Sequence, residues 1–399
     1  MRLAVLYGAL LFEFVSTGMV MPMLPFVATD LGASPFVLST LVATTGAFMF
    51  LSMIFWGRMS DRIGRRPVLA ITILGSGLAG ALSGLSTSLA MLFVARATAG
   101  AMGGNVPIAV STIADVTPDN ERARMMAYLM AVVALGFVAG NALSSVIGST
   151  DNGFSYARTG LVAGSLSIIG ASLVHFFVPE SHTDREPDRL KTQKNAMPST
   201  PLPELKRLGL VLGVVGFAIA IQFMLQNGLQ GAIDTVVPLH LKAILGWSAR
   251  EFGFFMASVG VMLITIQVFA TGPFTRRFGD DAALRTTMSM TAIGAIVALL
   301  PLPPYVAVVG IGLMMMGVGL SQPLFQSLVT KAAPAAHRGV FVGIVEAVAG
   351  LGRVIAPLIA GGLFQAAGAW LAFCFMAAMA SGIVAWRTVG SVARPAMQN

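Results

Sequence analysis

Residues 57–67 read Gly57-Arg58-Met59-Ser60-Asp61-Arg62-Ile63-Gly64-Arg65-Arg66-Pro67, a charged loop between two long apolar runs. Two glycines permit a tight turn here, and four arginines crowd around one aspartate. A shorter echo, Gly272-Pro273-Phe274-Thr275-Arg276-Arg277-Phe278-Gly279, recurs at the matching place in the second half. Glycines and charges in this arrangement fit a short loop pinned at a membrane face, where two packed helices pivot.

Working outward, the composition excludes an ordinary soluble domain. Apolar residues make up 56% and charged residues 11% of the chain, against roughly a quarter charged in soluble domains. Several apolar runs reach about 20 residues, enough to span a bilayer. Twelve spans are predicted, at roughly 4–27, 37–57, 67–87, 90–111, 126–148, 159–179, 209–235, 250–271, 284–303, 306–329, 339–364 and 367–387. The net charge of +8 sits in short connectors rather than on one basic face, so it speaks for membrane orientation and against nucleic acid. With the N-terminus inside, roughly twenty Lys and Arg residues fall on the cytoplasmic side. Arg158, Lys242 and Arg250 fall outside. Trp56 and Trp386 then mark inner ends, and Trp247 and Trp370 outer ends. The first run is read as a retained helix rather than a cleaved signal. The single cysteine, Cys374, excludes an internal disulfide.

The polar stretch at 180–207 (181–207 as a domain boundary) reads as a cytoplasmic linker between helical bundles at 1–180 and 208–399. The two halves repeat. Pro107 matches Pro323, Pro118 matches Pro334, Arg122 matches Arg338 and Gly136 matches Gly352 at one constant offset. Pro25 with Pro238, Gly32 with Gly246 and Gly64 with Gly279 follow with small shifts. Asp115 faces Lys331 in this register. Such duplication is expected of secondary transporters.

Ionisable groups inside a bilayer are costly, so each is a functional candidate. Glu13 lies mid-span in Leu-Leu-Phe-Glu-Phe-Val-Ser-Thr-Gly. An apolar setting penalises the charged carboxylate and favours proton exchange near neutral pH; the alternative is a glutamate hydrogen-bonded to a neighbouring helix for structure alone. Arg96 stays charged and either biases a nearby acid or serves as a structural hub. Glu346 and Arg353 are seven residues apart and share one helix face; about 10 Å of axial rise separates them. Gln222, Gln226, Asn227 and Gln230 in the seventh span, with Gln322 and Gln326 beside Pro323, offer amides that bind substrate or join helices. Gln226 falls near the repeat equivalent of Glu13, and Asp234 near the outer mouth. Glu13 and Glu346 are the proton-coupling candidates. Glu13 again, Thr17, Arg96, Asn141, the amides and Arg353 are the cavity candidates. No nucleotide-binding loop, metal-ligand spacing or cofactor motif occurs in the sequence.

The Gly57–Arg66 loop resembles the signature between the second and third helices of the major facilitator superfamily. The resemblance implies an all-α membrane fold of twelve transmembrane helices in two pseudo-symmetric six-helix bundles. It also implies secondary transport rather than enzymatic activity. Glu13, nine residues before Pro22 with Pro25 following, resembles the first helix of tetracycline/proton antiporters. Arg96 with its following glycines resembles the fourth-helix motif. Asp115-Val-Thr-Pro-Asp-Asn-Glu-Arg122 resembles the loop between helices four and five, in which the acid and base help lock the cytoplasmic face against Asp61–Arg66. That resemblance implies that Gly57, Asp61, Arg62, Gly64, Arg65, Arg66, Asp115 and Arg122 form the conformational gate; the alternative is static loop capping. Against export, the fifth helix reads Gly136-Phe-Val-Ala-Gly140-Asn141-Ala-Leu-Ser-Ser. Asn141 and the serines replace the proline and glycines of the drug/proton antiporter pattern, although Pro357 and Gly361-Gly362 remain in the second half. The resulting expectation is a multi-pass inner-membrane monomer with both termini cytoplasmic, exchanging protons for an amphipathic organic solute by alternating access. Its 24 methionines suit an adaptable cavity. A metabolite or anionic-solute carrier using Arg96 or Arg353 is the alternative, and a channel or sensor on the same fold is a third class.

Overall fold

The structure is a computed structural model that describes residues 2–151, 153–180, 202–333 and 338–393. Most of the predicted linker (181–201) and Pro334 of the repeat lie outside the described residues.

Helices α1 (Arg2–Asp30), α2 (Pro35–Ile63) and α3 (Arg65–Gly84) form the first three spans. The fourth is broken into α4 (Leu89–Ala101) and α5 (Asn105–Val116). Helices α6 (Asp119–Gly148) and α7 (Tyr156–Phe177) complete the first six, joined by a two-stranded hairpin of β1 (Ser149–Thr150) and β2 (Gly153–Phe154). The chain returns as α8 (Leu202–Leu245). The eighth span is α9 (Ala249–Ile266), a π turn at Gln267–Thr271 and α10 (Gly272–Phe278). Pro273, at the start of α10, has no N–H for the helical ladder, a natural cause of the wider turn. Helices α11 (Asp280–Val297), α12 (Pro304–Ala332), α13 (Arg338–Ala367) and α14 (Ala369–Ala393) finish the chain.

Ten of these segments are long and apolar enough to cross a membrane by length and composition. The other two are α8 and α11. Four side-chain amides lower the hydropathy of α8, and Asp280, Asp281 and Arg285 open α11. Twelve helical segments thus stand where twelve spans are predicted. Some ends differ: α8 continues to Leu245, placing Asp234 well inside a helix rather than at its mouth.

The repeat is visible in the backbone. Gly64 (φ 104°, ψ 158°) joins α2 to α3, and Gly279 (φ 81°, ψ 164°) joins α10 to α11. Gly32 and Gly246 also take positive φ, at 84° and 66°. Only glycine adopts these values without strain.

Apolar membrane helices gain little by hiding from lipid, so close backbone approach holds them together. Gly18 of α1 faces Phe137 and Gly140 of α6. Gly77 and Gly84 of α3 face Ser167, Gly164 and Gly160 of α7. In the second six helices, Gly228 and Gly231 of α8 face Ala356 and Pro357 of α13, and Gly294 of α11 faces Gly310 of α12.

The first and last six helices meet most closely at the end opposite the Gly57–Pro67 loop. There Lys242 of α8 reaches Asp30 at 3.1 Å and Thr29 at 2.8 Å on α1. The Phe36 N–H donates to Gln365 Oε1 at 3.2 Å, and Phe26 packs on Phe252. Gly361 of α13 lies against Ser39 of α2, and a methyl at Gly253 of α9 would sit 3.0 Å from the Asn141 carbonyl. At the loop end, Gln326 and Glu346 are exposed. Among the described residues, the contacts named between the two halves gather at the end opposite the loop.

A side chain at Gly361 would collide with Ser39 of α2. Overpacking of this kind costs about 1–3 kcal/mol, roughly five- to hundredfold in the population of the closed end. Gly361→Val should accordingly slow disulfide cross-linking between cysteines at 36 and 365, on a Cys374-free background, by that factor. An unchanged cross-linking rate would show that the α2–α13 contact does not control closure.

Candidate functional site

Glu13 is 1% exposed. Its Oε1 accepts from Asn105 Nδ2 at 2.8 Å and its Oε2 from Ser167 Oγ at 2.8 Å. Ser76 of α3 and Thr17 of α1 also face the carboxyl. Donors thus converge on one acid from α1, α3, α5 and α7, and none of them is charged. Such a cage can hold a carboxylate yet offers no fixed cation to stop it taking a proton.

Asn105 stands where it does because the fourth span is broken. Met102–Gly104 interrupt the ladder, and α5 restarts at Asn105. The Ala101 carbonyl freed by the break accepts from the Trp56 indole at 2.7 Å. Asn105 Oδ1 is buried and has no hydrogen-bond partner.

The other predicted cavity residues divide into separate groups. Arg96 is 7% exposed and donates to Ser83 Oγ at 2.6 Å; no acid lies in contact with it among the described residues, which favours the structural-hub reading over the biasing of an acid. Thr17 is half-buried and Asn141 buried, with Asn141 Oδ1 unpartnered. Gln226 donates to Gln322 Oε1 at 3.1 Å and to the Val318 carbonyl at 3.3 Å. This joins α8 to α12 as Glu13–Asn105 joins α1 to α5. Asn227 Oδ1 accepts from Arg353 Nε at 2.8 Å, and Gln230 donates to Asp234 Oδ1 at 2.9 Å. Arg353 is within Coulombic reach of both Asp234 and Glu346, although it makes no ion pair with either among the described residues. Gln222 is drawn elsewhere. It accepts from Arg387 Nε at 2.6 Å, and Arg387 also holds Asp281 at 2.8 Å.

The predicted gate residues form a compact network within the first six helices. Arg65 binds Asp61 at 2.8 Å, Asp115 at 3.4 Å and Ser60 Oγ at 2.6 Å. The N-terminus of α3 exposes N–H groups that need acceptors. Glu180 supplies them, accepting from the Arg65 N–H at 2.9 Å and the Arg66 N–H at 3.2 Å. Arg66 also donates to the His175 carbonyl. Arg122 donates to the Ala114 carbonyl at 3.2 Å. Arg62 is exposed, and Gly57 has open space beside its Cα.

Sequence reasoning missed Asn105, Ser76 and Ser167 as partners of Glu13, and Glu180 as the cap of α3. Asn105 carried a usable signal. It lies two residues before Pro107, as Gln322 lies one before the matching Pro323. The serines carried none, since small hydroxyls recur throughout the apolar runs.

Known proteins resemble this chain along nearly its whole length. The tetracycline resistance protein, class C, of Escherichia coli is 28% identical to this chain over 91% of it and 90% of that protein. Multidrug resistance protein 2 of Bacillus subtilis (strain 168) is 22% identical over 90% of this chain and 88% of that protein. Among solved structures, the human organic anion transporter TETRAN superposes with a TM-score of 0.69 at 17% identity, covering 97% of this chain and 98% of that one. A nucleoside transporter superposes with a TM-score of 0.72 at 14% identity, covering 98% and 99%. The sequence pattern of the Major Facilitator Superfamily matches residues 6–229 and 219–396. With that pattern spanning nearly the whole chain, and twelve helices folded as it requires, this multi-pass membrane transporter belongs to the Major Facilitator Superfamily.

Proposed function

We propose that the chain is a proton-coupled secondary transporter that exports an amphipathic organic solute by alternating access. The observation that carries this reading is Glu13, buried in a cage of uncharged donors. An acid so placed changes charge without breaking an ion pair, and its charge state decides how much its surroundings must solvate it. The names of the relatives, tetracycline resistance protein and multidrug resistance protein, support a drug-like solute and its removal from the cell. Among the described residues, contact between the halves gathers at the Lys242–Asp30 end while Glu346 is exposed at the other, which supports alternating access. The Asp61–Arg65–Asp115 network acts as the gate, and the amides with Arg353 line the solute path.

The rest of the reading follows from charge placement. The two bundles divide at 181–207, the termini and that linker are cytoplasmic, and the protein sits as a monomer in the inner membrane, binding solute, protons and lipid but no nucleic acid. A second reading keeps the same fold and puts an anionic solute on Arg353. In its favour, Arg353 is half-buried and its contacting partner is the neutral amide of Asn227.

Reconstituted in liposomes with an internal pH dye, Glu13→Gln should lose proton-coupled flux. The amide keeps shape and hydrogen bonding but cannot ionise. Solute binding should survive in the variant and lose the pH dependence it has in the parent. Full proton-driven transport by a well-folded variant would move coupling elsewhere, first to Glu346. Counterflow in the parent separates a carrier from a channel, and opposite or parallel proton movement separates antiport from symport.

Asp61→Asn should slow turnover while leaving solute affinity nearly intact, because Asp61 acts on the conformational equilibrium. Its partner Arg65 also holds Asp115 and Ser60, so folding should persist. Unchanged turnover removes Asp61 from the gate.

Single cysteines in the linker, on a Cys374-free background, should resist impermeant maleimide applied outside intact cells. Labelling from outside would overturn the orientation.

A further inference from the structure

We propose that Asn105 reads the protonation state of Glu13 and that Trp56 carries the result to the loop at Gly57–Pro67. The inference rests on the reading of Glu13 as the proton site and goes beyond it, to the residues that turn a proton into movement.

Both oxygens of Glu13 accept hydrogen bonds, from Asn105 Nδ2 and from Ser167 Oγ. That pattern suits the ionised acid, which has acceptors only. A protonated acid carries one O–H donor and needs a buried acceptor. Asn105 has one to spare: its Oδ1 is buried, with no partner, in a side chain 7% exposed. An acid and an amide are complementary edge to edge. The amide N–H donates to the acid carbonyl while the acid O–H donates to the amide carbonyl. Reaching that pairing requires Asn105 to swing toward the second oxygen and Ser167 to release it. Ser167 Oγ can also accept the acid O–H by turning its own hydroxyl, but Asn105 Oδ1 is the acceptor left without a partner, and by this proposal the two charge states of Glu13 select two positions of Asn105.

The groups presented to Glu13 from the packed elements are uncharged, so no other titration explains a response. They are Thr17 on α1, Ser76 on α3, Asn105 on α5 and Ser167 on α7. On α6, Phe137 packs against Phe14, the neighbour of Glu13, with ring centroids 5.6 Å apart.

The swing has somewhere to go. Ser167 lies mid-way along α7, a continuous helix that resists local movement. Asn105 is the first residue of α5, directly after the three-residue interruption at Met102–Gly104. Two features of that interruption touch Trp56. The Ala101 carbonyl accepts from its indole at 2.7 Å, and a methyl at Gly104 would meet Trp56 Cβ at 3.0 Å. Trp56 immediately precedes Gly57. The path Glu13, Asn105, Met102–Gly104, Trp56 is thus a run of contacts through a break in a helix, where small shifts do not have to strain a ladder of backbone hydrogen bonds.

The test uses the full-length protein in lipid, followed by pH-difference infrared spectroscopy of the carboxylic C=O region. The band lost in Glu13→Gln belongs to Glu13. In Asn105→Leu, which matches asparagine in shape but has no polar atoms, that band should move to higher wavenumber, because the protonated acid has lost its amide partner. Asn105→Ala is the second variant should leucine prevent folding, and the same upward movement is expected. A Glu13 band that stays in place in the folded variants overturns the role of Asn105 and leaves Glu13 as the proton site. Absence of any Glu13-dependent band overturns the proton-site reading and this inference with it. For the second limb, Trp56→Phe keeps a ring and removes the donor. It should lower proton-driven exchange about five- to tenfold, the weight of one hydrogen bond, with solute affinity and the Glu13 band unchanged. Exchange at the parental rate would exclude Trp56 from the path.

Discussion

A carboxyl group in the middle of a bilayer helix must either be neutral or be surrounded by donors, and Glu13 has recruited donors from three other spans. Much of the packing of the first six helices follows from that requirement. Ser167 reaches the acid from α7, at the place where Gly77 of α3 leaves no side chain in its way. Asn105 reaches it from α5 because the fourth span restarts there. On the opposite side, Gly18 and Gly140 bring α1 and α6 into backbone contact. A side chain at Gly77 would push α7 away from the acid and leave part of a buried carboxyl unsatisfied, a cost of about 1–3 kcal/mol.

The second constraint is the membrane's intolerance of open backbone. Two interruptions in this chain come with a substitute partner. The broken fourth span gives the Ala101 carbonyl to Trp56. The start of α3, turned sharply by Gly64, gives two N–H groups to Glu180. The matching turn at Gly279 is solved differently. There the helix opens with its own acids, Asp280 and Asp281, which pair with Lys331 and Arg387. The two halves share backbone conformation at this turn and differ in who supplies the charge. In the first half the acid comes from the far end of α7, so the turn is tied to the sixth span.

The fold was legible in the sequence because lipid allows few solutions. Long apolar runs, glycines at the turns and the charge bias of the connectors sufficed to place twelve helices, and Gly64 and Gly279 have nearly the same backbone geometry. The acid Glu13 was legible for the same reason: one charge in an apolar run stands out. Its partners were not, since a serine on a membrane helix costs little and signals nothing. Gln222 shows a second limit: its partner Arg387, 165 residues away, joins it in a network with Asp281. Long-range pairing of that kind leaves no trace in local pattern. Asp234 was misplaced because the amides of α8 made the helix look shorter than it is.

The repeat carries one further consequence. Glu13–Asn105 and Gln226–Gln322 join equivalent helices in the two halves, but only the first pair can change charge. The second pair is two amides, with no group that titrates. The titratable groups of the second half, Asp234 and Glu346, instead stand within reach of Arg353, whose charge is fixed. Asp234 and Glu346 thus have a fixed cation within reach, whereas Glu13 stands among hydroxyls and an amide with none. On the proposed reading the halves have divided the work accordingly. The first half, tied through Trp56 to the Gly57 loop and through Glu180 to the sixth span, responds to the proton. The second half presents a permanent arrangement of charge and amides to the solute. Rocking of one bundle against the other then couples the two without any direct contact between proton and solute.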